Sequence, residues 1–322
     1  MKMCARKKYP LIANAIVVAI ACNFLCGAAR AAEEENYFAP IVDANSASDT
    51  DGFRSLRFRA GALARYENQW SYAGAVAQTT HYSQENYKKD VAAVLGVYRD
   101  QRRDNLAGVD IEAGVARVSG RLRPVGDMTL RLSTTLHTAI DLNASADLVE
   151  TPKALDRAIG YTFVAAGIEQ QLDERFTFTG LAGWQHFSDG NSRPHLRARL
   201  IWLAVPEQGI TLQARYRQYW SRELDVGRAY FNPEDYRQWL GVIAIRKRHA
   251  GWVYSGALGA GQETSTGAGT HPAYLAEARI DGPIGPAARL VIRAAYNRSA
   301  GFIDSPDYAS RMIGASVVVP FR

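Results

Sequence analysis

From Phe53 to Arg322 the sequence alternates apolar and polar residues in blocks of about ten, separated by turn signals. No long helical apolar run appears beyond residue 32. The clearest block is Gly209 to Trp220. It sets Ile210, Leu212, Ala214, Tyr216 and Trp220 against Thr211, Gln213, Arg215, Arg217 and Tyr219. His195 to Ala204 sets Leu196, Ala198, Leu200 and Trp202 against Arg197 and Arg199, and Arg289 to Asn297 repeats the pattern. In an extended strand successive side chains point to opposite faces, so each block is a strand with one apolar and one polar face. Such strands build either a soluble sandwich or a transmembrane barrel.

Loop lengths separate the two. About fourteen strands can be counted, starting near residues 54, 72, 90, 106, 127, 157, 174, 194, 209, 236, 251, 273, 287 and 308. Tight connections (Arg123–Gly126, Leu172–Glu174, Val205–Gly209, His249–Gly251, Asp281–Pro286) alternate with longer ones (Leu142–Leu155, Ser188–Arg193, Ser221–Asp235, Glu263–Pro272, Ser299–Asp307). The turns Asn68–Ser71 and Gln84–Lys89 fit this alternation less well. Short turns on one side and long loops on the other are the pattern of an outer-membrane barrel. Trp70, Trp184, Trp220 and Trp239 fall near the long-loop ends, and Trp202 and Trp252 near the short-turn ends, as two interfacial girdles would. The last strand carries Ile313, Ala315, Val317, Val319 and Phe321 on one face, with Phe321 penultimate. The expected fold class is all-β: a single antiparallel transmembrane β-barrel of the bacterial outer-membrane type, with about 14 strands in a range of 12–16.

The N-terminus reads as a secretory signal over residues 1–31. Lys2, Arg6, Lys7 and Lys8 precede an apolar stretch from Leu11 to Leu25, and Ala29-Arg30-Ala31 offers a cleavage site. A lipoprotein signal at Cys22 is the alternative, although Ala19 stands where a large aliphatic residue is usual. Residues 32–52 are expected as a short, acidic periplasmic segment and 53–322 as the barrel. The net charge of +6 comes largely from the signal, because five of the 38 basic residues and no acidic ones lie there. Removing the five leaves 33 basic against 32 acidic residues, which takes away the main support for a nucleic-acid partner. Cys4, Cys22 and Cys26 all fall in the signal, so a processed chain has no thiol chemistry.

Function is expected on the inward face. Arg57, Arg59, Arg65, Arg131, Arg197, Arg199, Arg215, Arg217, Arg246, Arg279, Arg289 and Arg293 fall at polar strand positions, opposed there by only Glu67, Asp110, Glu112 and Glu277. Guanidinium groups stay charged and make bidentate contacts with carboxylate or phosphate. A lumen lined by them holds a positive potential and passes or binds anions, with Arg197, Arg199, Arg215, Arg217, Arg289 and Arg293 along the path. The alternative is that these arginines pair with acids and loop carbonyls, as in any polar barrel interior.

The loop Gly227 to Tyr236 contains Asn232-Pro233, a turn signal, and the aromatics Tyr230, Phe231 and Tyr236. These rings either stack on sugars from outside or pack the loop into the barrel mouth. The run Tyr230-Phe231-Asn232-Pro233-x-x-Tyr236 resembles the barrel portions of exopolysaccharide export porins of the cellulose and poly-N-acetylglucosamine type. The Phe187–Arg193 hairpin and the turn Pro206-Glu207-Gln208-Gly209 are similar too, and the resemblance extends over Asp156 to Phe321. It implies a passive conduit carrying a growing polysaccharide across the outer membrane. Family members also carry a helical tetratricopeptide region before the barrel. Ala32 to Asp51 is too short for one, so a separate periplasmic scaffold protein is the implied partner. Standalone barrels of the YaiO type are similar in this respect.

One enzymatic alternative stands beside the conduit. His186-Phe187-Ser188 places a histidine and a serine at i and i+2. On one strand face they make a base and nucleophile, resembling outer-membrane phospholipase A and lipid A deacylase. Ser188-Asp189-Gly190-Asn191 is also an ordinary turn. His81, His137, His195, His249 and His271 lack the close spacing of metal ligands, and neither metal nor cofactor is expected. The expected function is an outer-membrane channel or exporter passing an exopolysaccharide, in contact with membrane lipid. An anion-preferring general porin is the alternative, and a lipid hydrolase using His186 and Ser188 a third.

Overall fold

The computed structural model describes residues 38–285, 288–299 and 308–321; the expected signal over 1–31 lies outside them. The strands in chain order are β1 (Ala39–Asp49), β2 (Arg54–Asn68), β3 (Ser71–Gln84), β4 (Tyr87–Gln101), β5 (Gly108–Val118), β6 (Arg121–Ser133), β7 (Thr138–Leu148) and β8 (Gly160–Gln171). They continue as β9 (Phe176–Phe187), β10 (Ser192–Val205), β11 (Ile210–Trp220), β12 (Asp235–His249), β13 (Trp252–Ser265), β14 (Gly269–Ile284), β15 (Ala288–Ser299) and β16 (Tyr308–Val318). Every strand pairs antiparallel with its chain neighbours, and β1 pairs with β16 to close the barrel. At the seam Asp43 faces Ser316 and Ala44 faces Ala315. Val319 N–H donates to the Pro40 carbonyl (3.1 Å) and Phe321 N–H to the Phe38 carbonyl (2.8 Å).

Sixteen strands replace the expected fourteen. The two additions are β1, taken from the segment expected to be periplasmic, and β7, taken from a stretch expected to be mostly loop. Both carry small or loop-favouring residues. The polar positions of β7 are Asp141, Asn143, Ser145 and Asp147, and alanine fills several of its other positions. The contrast between faces is therefore weak, and pairing on both sides fixes these segments as strands.

Inserting β7 reverses the sidedness of the connections before it. Both described chain ends lie at one end of the barrel, with the connections at 69–70, 102–107, 134–137, 172–175, 206–209 and 250–251. The other end carries the long connections 149–159 and 221–234. Trp70 thus belongs to the turn end rather than the loop end, leaving Trp70, Trp202 and Trp252 in one girdle and Trp184, Trp220 and Trp239 in the other. Arg123–Gly126 lies inside β6; the turn there is Ser119-Gly120. Ser119 and Gly120 both have positive φ (48° and 75°), as do Ala250 and Gly251 (48° and 81°). This is the backbone that joins right-twisted strands through two residues.

The outside of the barrel is apolar and solvent-facing: Val94, Val115, Leu132, Val164, Leu200, Leu212, Ile243, Leu258 and Ile313 are all exposed. In water such a surface is an aggregation hazard, whereas in lipid it is the required solvent contact. The interior is asymmetric. Facing β2 to β6, Val76, Tyr82, Val91, Leu95, Ala116, Val118 and Val125 pack as an apolar cluster with Leu155 and Ala158 of the 149–159 connection. That connection contains the one-turn helix α1 (Pro152–Asp156), capped by Thr151 Oγ1 accepting from Ala154 N–H (3.2 Å). Part of the lumen is thus filled by side chains and an inward-folded loop.

Ile243 sits near the middle of β12 on the lipid face. Ile243→Arg is expected to destabilise the barrel by roughly 2–4 kcal/mol in lipid vesicles. The inward-facing Gln213→Arg is expected to cost far less, and denaturant titration of the two variants checks the assignment of faces.

Candidate functional site: an arginine-lined lumen wall

The period of two puts Arg193, His195, Arg197 and Arg199 on the inner face of β10, and Arg215, Arg217 and Tyr219 on that of β11. Register makes Arg197 directly oppose Arg217, and Arg199 oppose Arg215. Like charges directly across a strand pair destabilise it. Among the described residues, the one acid within ion-pair distance of these four arginines is Glu277, whose Oε2 lies 4.0 Å from Arg215 Nη1. Among the described residues no carboxylate comes within ion-pair distance of Arg197, Arg199 or Arg217. Arg197 lies over the Phe163 ring (5.9 Å) and Arg217 over Tyr219 and Tyr236 (5.6 and 5.5 Å).

The other expected path residues sit differently. Arg289 Nη2 binds Asp281 Oδ1 (2.6 Å), and Arg293 Nη2 binds Asp43 Oδ2 (3.0 Å). The charge of both arginines is thus matched by acids within the wall. Asp43 belongs to the unexpected β1, and Asp281 is a strand residue where a turn was expected. Elsewhere Arg57 pairs with Glu150 (2.9 Å), Arg59 with Glu112 (2.5 Å), Arg279 with Asp281 (2.9 Å), and Arg131 with both Asp141 and Glu169. The excess of unpaired arginine is thus concentrated on β10 and β11.

That wall borders the open lumen. A cavity of about 710 Å³ is lined by Arg197, Arg199, Arg215 and Arg217 together with Arg131, Asp141 and Glu169. A second, of about 440 Å³, is lined by Arg193, His195, Arg197 and Arg217 and by Asp127, Asn143 and Phe163. Arg197 and Arg217 line both, so the two spaces meet at this pair. A third cavity of about 470 Å³, beside α1, shares Ser299 and Tyr308 with the first.

The loop end is covered from inside. Tyr230 stacks on Phe187 (centroids 4.7 Å, 9°) and its hydroxyl contacts Asp189 and Asn191. Burial raises the Tyr230 phenol well above its ordinary pKa. Tyr236 is 3% exposed, stacks on Tyr219 and donates to Glu263 Oε2 (2.6 Å). Phe231 meets Tyr236 edge-on. Tyr230 and Tyr236 therefore do not offer their rings to a glycan from outside, which corrects that expectation; the 221–234 loop packs into the mouth. Ala154 and Ile159 of the neighbouring loop join Phe187, Val226, Ala229 and Tyr230 in one apolar cluster, and Thr151 Oγ1 donates to the Ala229 carbonyl.

Arg193 fastens this cover. Its guanidinium donates to Ser221 Oγ (3.0 Å), the Phe231 carbonyl (2.6 Å) and Asn232 Oδ1 (2.8 Å), and lies among the rings of Phe187, Tyr219 and Tyr230. Sequence reasoning selected neither Arg193 nor His195, although their spacing of two from Arg197 and Arg199 is the signal that finds them.

The proposed base and nucleophile are not joined. His186 is exposed on the outer face of β9, whereas Ser188 lies beyond the strand in the turn. Ser188 Oγ accepts from Gly160 N–H (3.1 Å), and Ser188 N–H donates to the Gly160 carbonyl (2.8 Å). The serine extends the β8–β9 pairing instead of facing a base.

No protein-family model matches the sequence, and no curated protein matches it. Among solved structures, a bacterial polysaccharide outer membrane secretin is similar in fold, with a TM-score of 0.66 at 11% identity over 90% of this chain and 100% of that one. The outer membrane protein OprD from Pseudomonas aeruginosa aligns with a TM-score of 0.44 at 12% identity, over 91% of this chain and 96% of that one. A closed barrel with an apolar outside and a polar lumen belongs in the bacterial outer membrane.

Arg193→Ala removes three loop-directed hydrogen bonds at once. The 221–234 loop is expected to become cleavable by trypsin several-fold faster while the barrel stays folded, as read by limited proteolysis and circular dichroism.

Proposed function

We propose that the protein is an outer-membrane conduit that passes a polysaccharide to the cell surface along the wall formed by β10 and β11. The observation that carries this reading is the pair of cavities meeting at Arg197 and Arg217, beside guanidiniums that the wall leaves without acidic partners. Structural ion pairs explain Arg57, Arg59, Arg131, Arg289 and Arg293; they do not explain this group. The sequence resemblance to exopolysaccharide export porins and the fold shared with a polysaccharide secretin both favour an extended glycan over a compact solute. A track of fixed guanidiniums gives a chain successive weak sites, the condition for entry without trapping. The inward-folded loops supply the closure that keeps such a passage from leaking between substrates. A separate periplasmic scaffold, meeting the barrel at its turn end, is the partner this reading requires.

Refolded mature protein in a planar bilayer under a salt gradient tests the conduit. Anion-selective conductance is expected, and replacing Arg215 and Arg217 by serine is expected to lower the anion-to-cation permeability ratio by roughly half or more. Cation selectivity, or a ratio unchanged in the double variant, overturns the role of this wall.

A further inference from the structure

The smaller cavity has features that simple passage of a neutral chain does not call for. His195 is 7% exposed and faces inward between Arg193 and Arg197 on β10, opposite Tyr219 on β11. Its Nε2–H donates to the Gln185 Oε1 carbonyl (3.1 Å), which makes Nδ1 a lone-pair acceptor. No protein group bonds that atom. A buried acceptor without a partner is costly, and because the atom is enclosed, a donor in the adjoining cavity reaches it only with a turn of the imidazole. The directly opposed Arg197 and Arg217 call in the same way for an anion, because planar guanidiniums clasp carboxylate oxygens in bidentate fashion. Phe163, edge-on to the His195 ring at 5.3 Å, adds an apolar ring to the same cavity. On the facing side, Asn143 and Asp127 offer further acceptors.

One ligand chemistry satisfies all of these: a sugar ring bearing a carboxylate and several hydroxyls. We infer that the cavity lined by His195, Arg197, Arg217 and Phe163 is a binding subsite for an acidic saccharide unit. The carboxylate sits between Arg197 and Arg217, a ring hydroxyl donates to His195 Nδ1 once the imidazole turns toward the cavity, and the ring's C–H face packs on Phe163. Asp127 repels a carboxylate and accepts hydroxyls, so it fixes which edge of the sugar faces β10 and β11. A volume of about 440 Å³ falls within the range of small-ligand sites. The inference rests on the conduit reading and narrows its cargo to a uronate-type polymer.

The test separates the two. Titration of the full mature barrel in detergent with trigalacturonate and with its fully methyl-esterified form, followed by calorimetry, needs no open pore. The acid is expected to bind at least tenfold more tightly than the ester. Arg197→Gln combined with Arg217→Gln is expected to abolish that difference. His195→Phe is expected to weaken both ligands several-fold while keeping the preference for the acid. Equal affinity for acid and ester in the unaltered protein, or binding of neither, overturns the subsite whether or not the barrel conducts. A silent barrel that still prefers the acid overturns the passive conduit and keeps the subsite.

Discussion

In a bilayer no water is available to the backbone, so every strand must find partners on both sides for its N–H and C=O groups. Closure through β1 and β16 meets that demand here, and the rest of the molecule depends on it. The requirement explains why a segment as weakly patterned as Ala39–Asp49 becomes a strand. Its sequence supplies little apolar contrast, yet leaving it out would expose the edges of β2 and β16 to lipid. The seam also carries charge: Asp43 of β1 meets Arg293 of β15 across β16, so the strand that closes the sheet also neutralises part of the lumen.

Within the closed cylinder the charges divide by wall. From β2 to β8, arginines meet acids on other strands or on the 149–159 connection, and an apolar cluster with the α1 loop occupies the space beside them. On β10 and β11 the arginines face one another instead, and the open cavities lie there. The same residue type therefore does two jobs, and only its neighbours distinguish them. Arg131, bonded to Asp141 and Glu169, ties three strands together. Arg197, at an equivalent inward position, has a phenylalanine ring and empty volume.

Period-two alternation was enough to read the barrel, and the arginines of β10 and β11, from sequence. Strong alternation from Gly209 to Trp220 specifies both the faces and the register relevant to Arg215 and Arg217. What stayed hidden follows from the same physics. β7 has polar residues that favour turns and many alanines, so its amphipathic signal is faint. Without β7 the sidedness of the first strands inverts and Trp70 falls at the loop end. The pairing of Arg289 and Arg293 was hidden because their acids come from a turn-like sequence at Asp281 and from β1, contacts that exist only after closure. Tyr230 and Tyr236 look like exposed loop aromatics in one dimension. Their burial depends on Phe187, Tyr219 and Glu263, residues from three other strands.

Arg193 shows how the two uses of arginine meet in one mechanism. It stands on the same strand face as Arg197 and Arg199, but its guanidinium is turned to the loop, where carbonyl and amide oxygens and three aromatic rings replace a carboxylate. None of these partners is charged, so a buried cation is held by neutral contacts alone, a weaker arrangement than the ion pairs of the opposite wall. An anion held at Arg197 and Arg217 would lie two inward positions away, with His195 and Tyr219 between. The loop is thus secured by a residue whose best partner is the same chemistry that the adjoining cavity is shaped to take.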